Sequence, residues 1–327
     1  MLFEPCTDFK IVGEEEYSRR ITEIENTLES CAQSGFLETA GGMTVSWRRF
    51  GVKNPKAAIV IVHGFTEFAR KYDELCWYFM NMGYDVYVYD QRGHGLSGRE
   101  AGDGSLIHIN SFDDYVDDLD AVIEQLAVPM SPGLDIYLYT HSMGGAVGAL
   151  YMCRHPEKVK KVLLSSPMVS PRTHGMPHCL VRRVIRKEAE STSWDSKFRY
   201  SGEFREDADF SRSADNSYNR FRHNLDLRIA EKRYQGSAST NRWMYEALGV
   251  DRRILDRQAL SAVTASVLLV AAQRDTVVQS YPQKKLARLL GDRCRYVCIK
   301  RAKHSIFVSG EDILGEYIDT VKSFFDE

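Results

Sequence analysis

The stretch LDIYLYTHSMGGAVGAL, residues 134–150, contains the pattern that decides the fold. Its first part, residues 134–140, is a short apolar run of the kind that forms a buried strand, and a helix is predicted over residues 143–155. Ser142 lies between the two, among small residues. A serine at a sharp strand-to-helix turn has a strained backbone and a raised hydroxyl, which is the arrangement called a nucleophile elbow.

The neighbours of Ser142 support this interpretation, with one departure. Gly144 would let the helix approach the sheet closely, and the positive end of the helix dipole would lie near the hydroxyl. His141 is expected to support the turn. The elbow pattern G-x-S-x-G is incomplete because Thr140 replaces its first glycine. We expect Thr140 to press on the neighbouring strand, since a small side chain is favoured there.

Outward from this stretch, apolar runs alternate with helical segments along most of the chain. Strands that are apolar on both faces and separated by helices indicate a mostly parallel sheet covered by helices on both sides. Strands are predicted at residues 57–62, 84–89, 134–140, 159–166, 266–272 and 295–300. Helices are predicted near residues 69–82, 111–127, 143–155, 279–290 and 311–325.

The same reading divides the chain into three parts. Residues 1–34 are predicted to form a polar N-terminal helix with a narrow apolar stripe, and residues 35–167 and 251–327 the α/β core, which begins with a hairpin. The alternation stops over residues 168–250, which we predict to be a helical cap inserted into the core because the segment is too long for a simple loop. The span 172–245 has fifteen basic and ten acidic residues. This excess indicates either a solvated helical surface or a basic lid that attracts anionic groups.

Composition excludes several classes of protein. Of the 327 residues 43% are hydrophobic and 27% are charged, as in ordinary globular proteins, and the formal net charge is −2. That balance gives no electrostatic case for nucleic-acid binding.

The sequence has no apolar run long enough to cross a bilayer, and Glu4 and Asp8 stand where a signal peptide would be apolar. Seven scattered cysteines without a C-x-x-C indicate reduced thiols. We expect a cytoplasmic protein, with surface association to a membrane left open.

A serine needs a base and an orienting acid to act as a nucleophile. Asp275 comes just after the predicted strand 266–272, and His304 just after 295–300. The carboxyl ends of parallel strands meet at one edge of a sheet, where such folds place their ligands. We therefore predict a catalytic triad of Ser142, Asp275 and His304.

Acyl transfer also needs donors for the oxyanion. His63 and Gly64 follow the strand 57–62, and the loop after this strand supplies one donor in folds with a nucleophile elbow. We predict that the backbone N–H groups of Phe65 and Met143 form the oxyanion hole. His63 and Gly64 are expected to hold the loop in shape.

The motifs HGFTEFARKY, YDQRGHGLSG, THSMGG, RD followed by KH, and Tyr218–Phe221 resemble the lysophospholipase L2 and monoacylglycerol lipase group of serine α/β-hydrolases. The resemblance covers roughly residues 35 to 325 and is most specific in Asp90–Gly98. It implies an α/β-hydrolase fold with a cap, and hydrolysis of carboxylic esters of monoacyl lipids, either lysophospholipids or monoacylglycerols, without a cofactor. Two alternatives stay open on the same fold, namely a short-chain carboxylesterase and a peptidase of the proline-iminopeptidase type. A non-catalytic binding protein is a remote third alternative, and the oligomeric state stays open.

The resemblance would place an acyl tunnel in the insertion. Aromatic residues there could line such a tunnel or form the insertion's own small core; they are Trp194, Phe198, Phe204, Tyr218, Phe221 and Trp243. A peptidase would instead need acidic groups that attract a substrate amine, for which the candidates are Glu203, Glu206, Asp207 and Asp209. The basic excess of the insertion argues against that alternative.

Other polar groups have simpler interpretations. Asp90, Arg92 and His94 form a turn that we expect to support the loops. Glu67 and Arg70 are either an ion pair near the loop of Phe65 or ordinary charges at the start of a helix. His174 and His178 have the spacing of a helical metal pair, but Gly175 and Pro177 lie between them and disfavour a helix. No metal site is predicted. The sequence also lacks phosphate-loop and dinucleotide motifs.

Overall fold

The computed structural model describes residues 2–173 and 175–327. Its centre is an eight-stranded sheet with the order β1-β2-β4-β3-β6-β7-β9-β10, in which β1 and β2 are antiparallel to their neighbours and the rest are parallel. The sheet strands are β1 Ala32–Thr39, β2 Met43–Phe50, β3 Ala58–Val62, β4 Asp85–Tyr89, β6 Ile136–His141, β7 Lys161–Ser165, β9 Ser266–Ala272 and β10 Cys294–Ile299. The predicted mostly parallel sheet is confirmed.

The helices alternate with the strands along the core. They are α1 Tyr17–Cys31, α2 Asp73–Asn81, α3 Phe112–Val122, α4 Val128–Met130, α5 Met143–Arg154, α6 His178–Ser191, α7 Tyr218–Ala230, α8 Asn241–Ala247, α9 Asp251–Ile254, α10 Arg257–Ser261, α11 Ser280–Leu290 and α12 Glu311–Asp326. A π-helical turn, Ile123–Ala127, joins α3 to α4.

Two hydrophobic cores cover the two faces of the sheet. Strand β3 shows why, because Val60 and Val62 belong to one core while Ile59 and Ile61 belong to the other, as the two-residue period of a strand requires. The first core includes residues of α3, α5 and α11, and the second includes residues of α1, α2 and α12. The sheet is therefore buried on both sides, which is why its strands read as continuous apolar runs.

The N-terminal helix α1 buries one narrow stripe against the second core. The stripe consists of Tyr17, Ile21, Ile24 and Leu28, the residues that the sequence spacing indicated. The other positions of α1 are partly or fully exposed, and they include an exposed ion pair between Arg19 and Glu23. The helix is amphipathic because its apolar residues recur at three- and four-residue intervals.

The predicted cap segment, residues 168–250, contains α6, α7 and α8 with long connections. A small cluster of Ile185, Phe198 and Leu248 lies at its centre. One feature differs from the prediction, because β8 (Ala238–Ser239) pairs in parallel with β5 (Leu106–Ile107) in the core. A two-residue strand leaves no periodic signal in the sequence.

Two further observations concern the chain as a whole. Among the residues that the structure describes, no helix is long and apolar enough to cross a membrane. All seven cysteines are free thiols, as their scattered positions indicated.

Candidate active site

Ser142 occupies a strained turn between β6 and α5. Its backbone has φ 52° and ψ −115°, a positive φ that is uncommon for any residue other than glycine. The turn is held by backbone hydrogen bonds, since the Ser142 N–H donates to Ser165 O (3.1 Å) and the Ser142 carbonyl accepts from Met168 (2.8 Å). Strain of this kind persists only where the surroundings fix the chain, and it places the hydroxyl at the end of the sheet.

Glycine is required two and three residues after Ser142, at Gly144 and Gly145. A Cβ on Gly144 would overlap the carbonyl oxygen of Val62 and lie 2.7 Å from that of His63, so that any side chain would push α5 away from β3. A Cβ on Gly145 would lie 2.6 Å from Pro167 Cβ. The close approach expected of Gly144 is therefore present.

Thr140, the departure from the elbow pattern, is accommodated in two ways. Its hydroxyl donates a hydrogen bond of 2.8 Å to the carbonyl of Leu163 on the neighbouring strand β7. Its methyl group faces Gly148 of α5, where a Cβ would lie only 2.6 Å from Thr140 Cγ2. The expected contact with the neighbouring strand is present, and Gly148 supplies space that the sequence interpretation did not foresee.

The three side chains of the predicted triad form one hydrogen-bonded chain. Ser142 follows β6, Asp275 follows β9 and His304 follows β10, so all three lie at the carboxyl edge of the sheet. The Nε2 atom of His304 lies 2.8 Å from Ser142 Oγ, and its Nδ1 atom lies 2.7 Å from Asp275 Oδ2. The carboxylate acts only as an acceptor, so Nδ1 carries the proton and Nε2 accepts from the serine.

The carboxylate of Asp275 is held in its charged form. Burial works to raise its pKa, but the hydrogen bond with His304 and the backbone N–H groups of Val277 and Val278 outweigh burial, and the pKa lies below its usual value. Those two N–H groups donate to Oδ1 at 2.8 and 3.0 Å, which leaves Oδ2 for His304. Asp275 is thus fixed as an acceptor that orients the imidazole.

The backbone N–H groups of Phe65 and Met143 are unsatisfied donors near the hydrogen-bonded side chains of the predicted triad. Within the described ranges 2–173 and 175–327, neither has a protein acceptor. Met143 is the first residue of α5, where a helix leaves its N–H groups unsatisfied. Phe65 lies in the loop after β3, and Phe65 and Ser142 line the same cavity.

His63 and Gly64 shape the loop that carries Phe65. His63 is fully buried; its Nε2 accepts from the Gln91 N–H (2.9 Å), and its Nδ1 lies 2.7 Å from the Gly64 carbonyl. Burial lowers the pKa of His63, so the ring is a neutral structural group with its proton on Nδ1. The Gly64 N–H donates in turn to Glu67 Oε2 (2.6 Å).

Glu67 does form an ion pair near this loop, but its partner is not Arg70, the residue considered from the sequence. It pairs with Lys71 (2.7 Å), whereas Arg70 pairs with Glu25 (3.2 Å) and Asp73 (3.3 Å). Glu67 lies before the helical turn Ala69–Tyr72, and Phe68 between them is extended, so the helical four-residue spacing does not apply and the sequence contains no signal for Lys71.

His141 lies between the Glu67 pair and the predicted triad. Its Nε2 atom lies 3.7 Å from Glu67 Oε1, and its ring centroid lies 5.0 Å from that of His304. Burial lowers the pKa of His141 to about 3 despite the attraction of Glu67. His141 is therefore a neutral packing partner of His304 at ordinary pH.

The turn after β4 contacts the loops of the site, as its predicted supporting role requires. Asp90 accepts from the N–H groups of Ala69 (2.6 Å) and Leu96 (2.9 Å), and Arg92 binds Asp118 through two hydrogen bonds. The ring of His94 lies 5.1 Å from that of His63.

A cavity of about 640 Å³ opens onto Ser142 and His304. One wall is the loop that includes Phe65 and Lys71, and the opposite wall comes from residues 203–237 of the predicted cap segment. The volume is in the range of sites for small organic ligands. Charged lining residues that sequence reasoning did not single out are Lys71, Arg205, Arg212, Asp215 and Arg228.

The candidate aromatic residues have divided positions. Phe204 and Phe221 line the cavity, as an acyl site would require. Phe198 and Trp194 belong to the small cluster of the predicted cap segment, Trp243 packs 4.1 Å from the ring of Phe65 in the main core, and Tyr218 is exposed. Phe204 and Phe221 thus stay candidates for an acyl site, whereas Phe198 and Trp194 lie in the small core of the segment.

The histidine pair lies partly outside the structure, because His174 is not among the described residues. Among the residues 2–173 and 175–327, no group of three or more His, Cys, Asp or Glu side chains could hold a metal ion.

Known proteins that are similar in sequence to this chain include a lysophospholipase and a monoglyceride lipase. Lysophospholipase L2 of Escherichia coli (strain K12) is 28% identical over 289 residues, which is 86% of this chain and 84% of that protein. Monoglyceride lipase of Homo sapiens is 32% identical over 123 residues, or 38% of each chain.

Solved structures resemble the whole fold. A soluble variant of monoglyceride lipase from Saccharomyces cerevisiae, in complex with a substrate analog, has a TM-score of 0.72 at 17% identity and covers 90% of this chain and 94% of its own. A thermostable carboxyl esterase from Bacillus coagulans, in complex with glycerol, has a TM-score of 0.73 at 16% identity and covers 90% and 98%. At this identity the likeness shows the α/β-hydrolase fold. The family model described as "Serine aminopeptidase, S33" matches residues 53–311, most of the chain, and the protein therefore belongs to this family of serine hydrolases.

Proposed function

We propose that this protein hydrolyses the carboxylic ester bond of monoacyl lipids, with Ser142, His304 and Asp275 as its catalytic triad. The observation that carries the proposal is the continuous hydrogen-bonded chain from Ser142 Oγ through His304 to Asp275, at the wall of a large cavity. A serine is activated in this way when a base lies within hydrogen-bond distance and a third group orients the base.

In the first half of the proposed reaction, His304 Nε2 accepts the hydroxyl proton as Ser142 Oγ attacks the ester carbonyl carbon. The N–H groups of Phe65 and Met143 donate to the oxyanion that forms. Asp275 stabilises the imidazolium, because its own low pKa keeps it charged throughout. His304 then gives the proton to the leaving alcohol, and an acyl-serine remains.

In the second half, water replaces the alcohol. His304 takes a proton from the water as the water oxygen attacks the carbonyl carbon of the acyl-serine. The N–H groups of Phe65 and Met143 donate to the second oxyanion. The proton then returns to Ser142 Oγ as the fatty acid leaves. Both halves use the same groups.

The choice of a monoacyl lipid rests on the cavity and on the relatives. The wall supplied by the predicted cap segment offers Phe204, Phe221 and Leu225, which provide an apolar surface for one acyl chain. Relatives named lysophospholipase and monoglyceride lipase act, by those names, on esters of this class. We accordingly keep residues 168–250 as a proposed cap that contributes to the substrate site.

A peptidase is the second candidate, because the family carries an aminopeptidase description and acidic residues line the cavity. Three of those acidic residues, the lining ones among the candidates from the sequence, are already engaged, whereas the carboxylate of Asp215 has no ion pair or hydrogen bond among the described residues. Glu203 binds Lys197 (2.8 Å), Asp207 binds Arg205 (3.0 Å), and Asp209 accepts from the Ser211 N–H (2.8 Å). Carboxylates with partners attract a substrate amine weakly, so the peptidase is less well supported.

A hydrolysis panel on the wild type and Ser142→Ala tests the proposal. The panel contains short and long p-nitrophenyl esters, a monoacylglycerol, a lysophospholipid and a proline amide. We expect turnover of the long monoacyl esters that falls by several orders of magnitude in Ser142→Ala. Turnover of short esters alone would indicate a general carboxylesterase, and turnover of the amide alone would replace the lipid assignment with a peptidase.

A further inference from the structure

Arg228 places a guanidinium group in the wall of the cavity that contains Ser142. It lies in the last turn of α7 and is partly buried. Its Nε and Nη2 atoms donate to the carbonyls of Tyr234 and Gly236, each at 3.1 Å, and the ring of Phe204 lies 4.7 Å away. These contacts fix the group in position, yet Nη1 has no acceptor among the residues that the structure covers. A guanidinium has five N–H donors, so donors remain for a ligand.

Arg228 differs from its neighbours because it lacks an anionic partner. Lys71 is paired with Glu67 at 2.7 Å, and Arg205 with Asp207 at 3.0 Å. No carboxylate of the described chain, residues 2–173 and 175–327, lies within 4.0 Å of Arg228. Arg212 also lacks such a partner, but it is exposed at the rim.

The charge of Arg228 persists under ordinary conditions. Burial lowers its pKa to about 10, against the attraction of Glu67, and this value is still well above neutral pH. A partly buried cation whose partners are two carbonyls and an aromatic ring is costly to desolvate and gains from an anion supplied by a ligand. Guanidinium groups bind the oxygens of a phosphate in a two-pronged arrangement, which is stronger than a bond between neutral groups.

We propose that Arg228 binds the phosphate of a lysophospholipid head group while the acyl ester lies at Ser142. This inference rests on the proposed function and adds the head group to it. The phosphate would accept from the free N–H groups of Arg228, and the glycerol would span the distance to the ester. A monoacylglycerol would place a neutral hydroxyl at the same point and leave the cation without an anion. The protein would therefore favour lysophospholipids over monoacylglycerols of the same chain length.

The test compares two substrates that share one acyl chain, a lysophospholipid and a monoacylglycerol, in the full-length protein. In Arg228→Gln we expect kcat/KM for the lysophospholipid to fall about 10- to 100-fold, the worth of one hydrogen bond to a charged group. For the monoacylglycerol we expect a change of less than about threefold. Arg228→Lys keeps the charge but lacks the planar guanidinium, so its kcat/KM for the lysophospholipid should lie between those of the wild type and Arg228→Gln. The matched control is Arg222→Gln, at an exposed position on the same helix where the partner is Asp226. In this variant kcat/KM should stay unchanged for both substrates.

A second measurement separates binding from structure. Glycerol 3-phosphate should inhibit turnover of a short p-nitrophenyl ester by the wild type, and about 10-fold more of it should be needed with Arg228→Gln. Equal losses for both substrates in Arg228→Gln, with unchanged inhibition, would overturn the head-group role and leave Arg228 as a support for the loop at residues 234–236. If neither lipid is hydrolysed while the short ester is, the proposed function fails first and the inference falls with it.

Discussion

Glu67 is the residue on which the polar contacts behind the proposed oxyanion hole converge. Its carboxylate accepts from the Gly64 N–H (2.6 Å), from Lys71 (2.7 Å) and from the Tyr72 hydroxyl (2.5 Å). Burial works to raise its pKa, but the charge and hydrogen bond of Lys71 and the bond from Tyr72 hold the pKa well below its usual value. The charged form of Glu67 thus stabilises the folded state.

The first prediction concerns Glu67→Gln. Because the folded pKa lies below the unfolded value near 4.5, the stability that Glu67 contributes is complete above that value and is lost as the pH falls toward the folded pKa. We expect a loss of about 3–5 kcal/mol at pH 7, as for one broken partner of a buried pair. Urea unfolding should show that the difference from the wild type shrinks between about pH 5 and pH 3.

The control for this prediction is Glu38→Gln, which removes the same charge from an exposed position of β1 and should change stability by less than about 0.5 kcal/mol. A difference between Glu67→Gln and the wild type that is independent of pH would contradict the role assigned to the charge.

The positions of the three triad residues were predictable, because Ser142, Asp275 and His304 each follow an apolar run and parallel strands bring their carboxyl ends together. The structure brings these three side chains together, while their catalytic roles stay proposals. Arg228 was not predictable. The sequence shows fifteen basic residues over residues 172–245, and no pattern in it tells which of them faces the cavity.

Helix α5 and strand β6 meet at a close contact between Gly148 and Thr140. Gly148 of α5 lacks a side chain at the point that the Thr140 methyl group occupies. The elbow pattern has a glycine where this chain has Thr140, and a glycine on the helix, Gly148, makes room for the threonine methyl group. Such compensation between two elements is invisible in the sequence motif alone.

The second prediction follows from this contact. Gly148→Ala should destabilise the protein by about 1–3 kcal/mol through overpacking, because the new Cβ would lie 2.6 Å from Thr140 Cγ2. Adding Thr140→Ser, which removes only the methyl group and keeps the hydrogen bond to Leu163, should recover much of the loss. Thermal unfolding of the two single variants and the double variant measures the coupling. Additive losses would show that the two residues do not interact.

Strand and helix positions in the core were predictable because burial on both faces gives continuous apolar runs and helices give three- and four-residue spacing. Two details were not. The pairing of Ala238–Ser239 with Leu106–Ile107 is too short for a period, and the position of Trp243 in the main core, packed on Phe65, depends on tertiary packing.

Over the whole molecule, Arg220 joins three parts of the chain. From α7 its guanidinium donates to Glu74 of α2 (2.7 and 2.9 Å), to the Val12 carbonyl (2.8 Å) and to Glu14 (2.8 Å). The side chain is 1% exposed and lies over the ring of Tyr17. The N-terminal segment, the core and the proposed cap thus share one buried charge.

The third prediction tests this junction with Arg220→Met. Removal of the cation leaves Glu74 without its buried partner, so we expect a loss of about 3–5 kcal/mol. Hydrogen exchange should become faster both in residues 9–17 and in α7, while α5 keeps its protection. The exposed Arg222→Met on the same helix is the control. Faster exchange in α7 alone would contradict the joint role.

The central claim, that Ser142 is a nucleophile activated by His304 and Asp275, is tested most directly with a fluorophosphonate probe on the full-length protein. We predict that the probe attaches to one serine, that peptide mapping places it on Ser142, and that Asp275→Asn and His304→Ala slow the labelling about 1,000-fold or more. Labelling of a different serine, or labelling of Ser142 at an unchanged rate in His304→Ala, would contradict the claim.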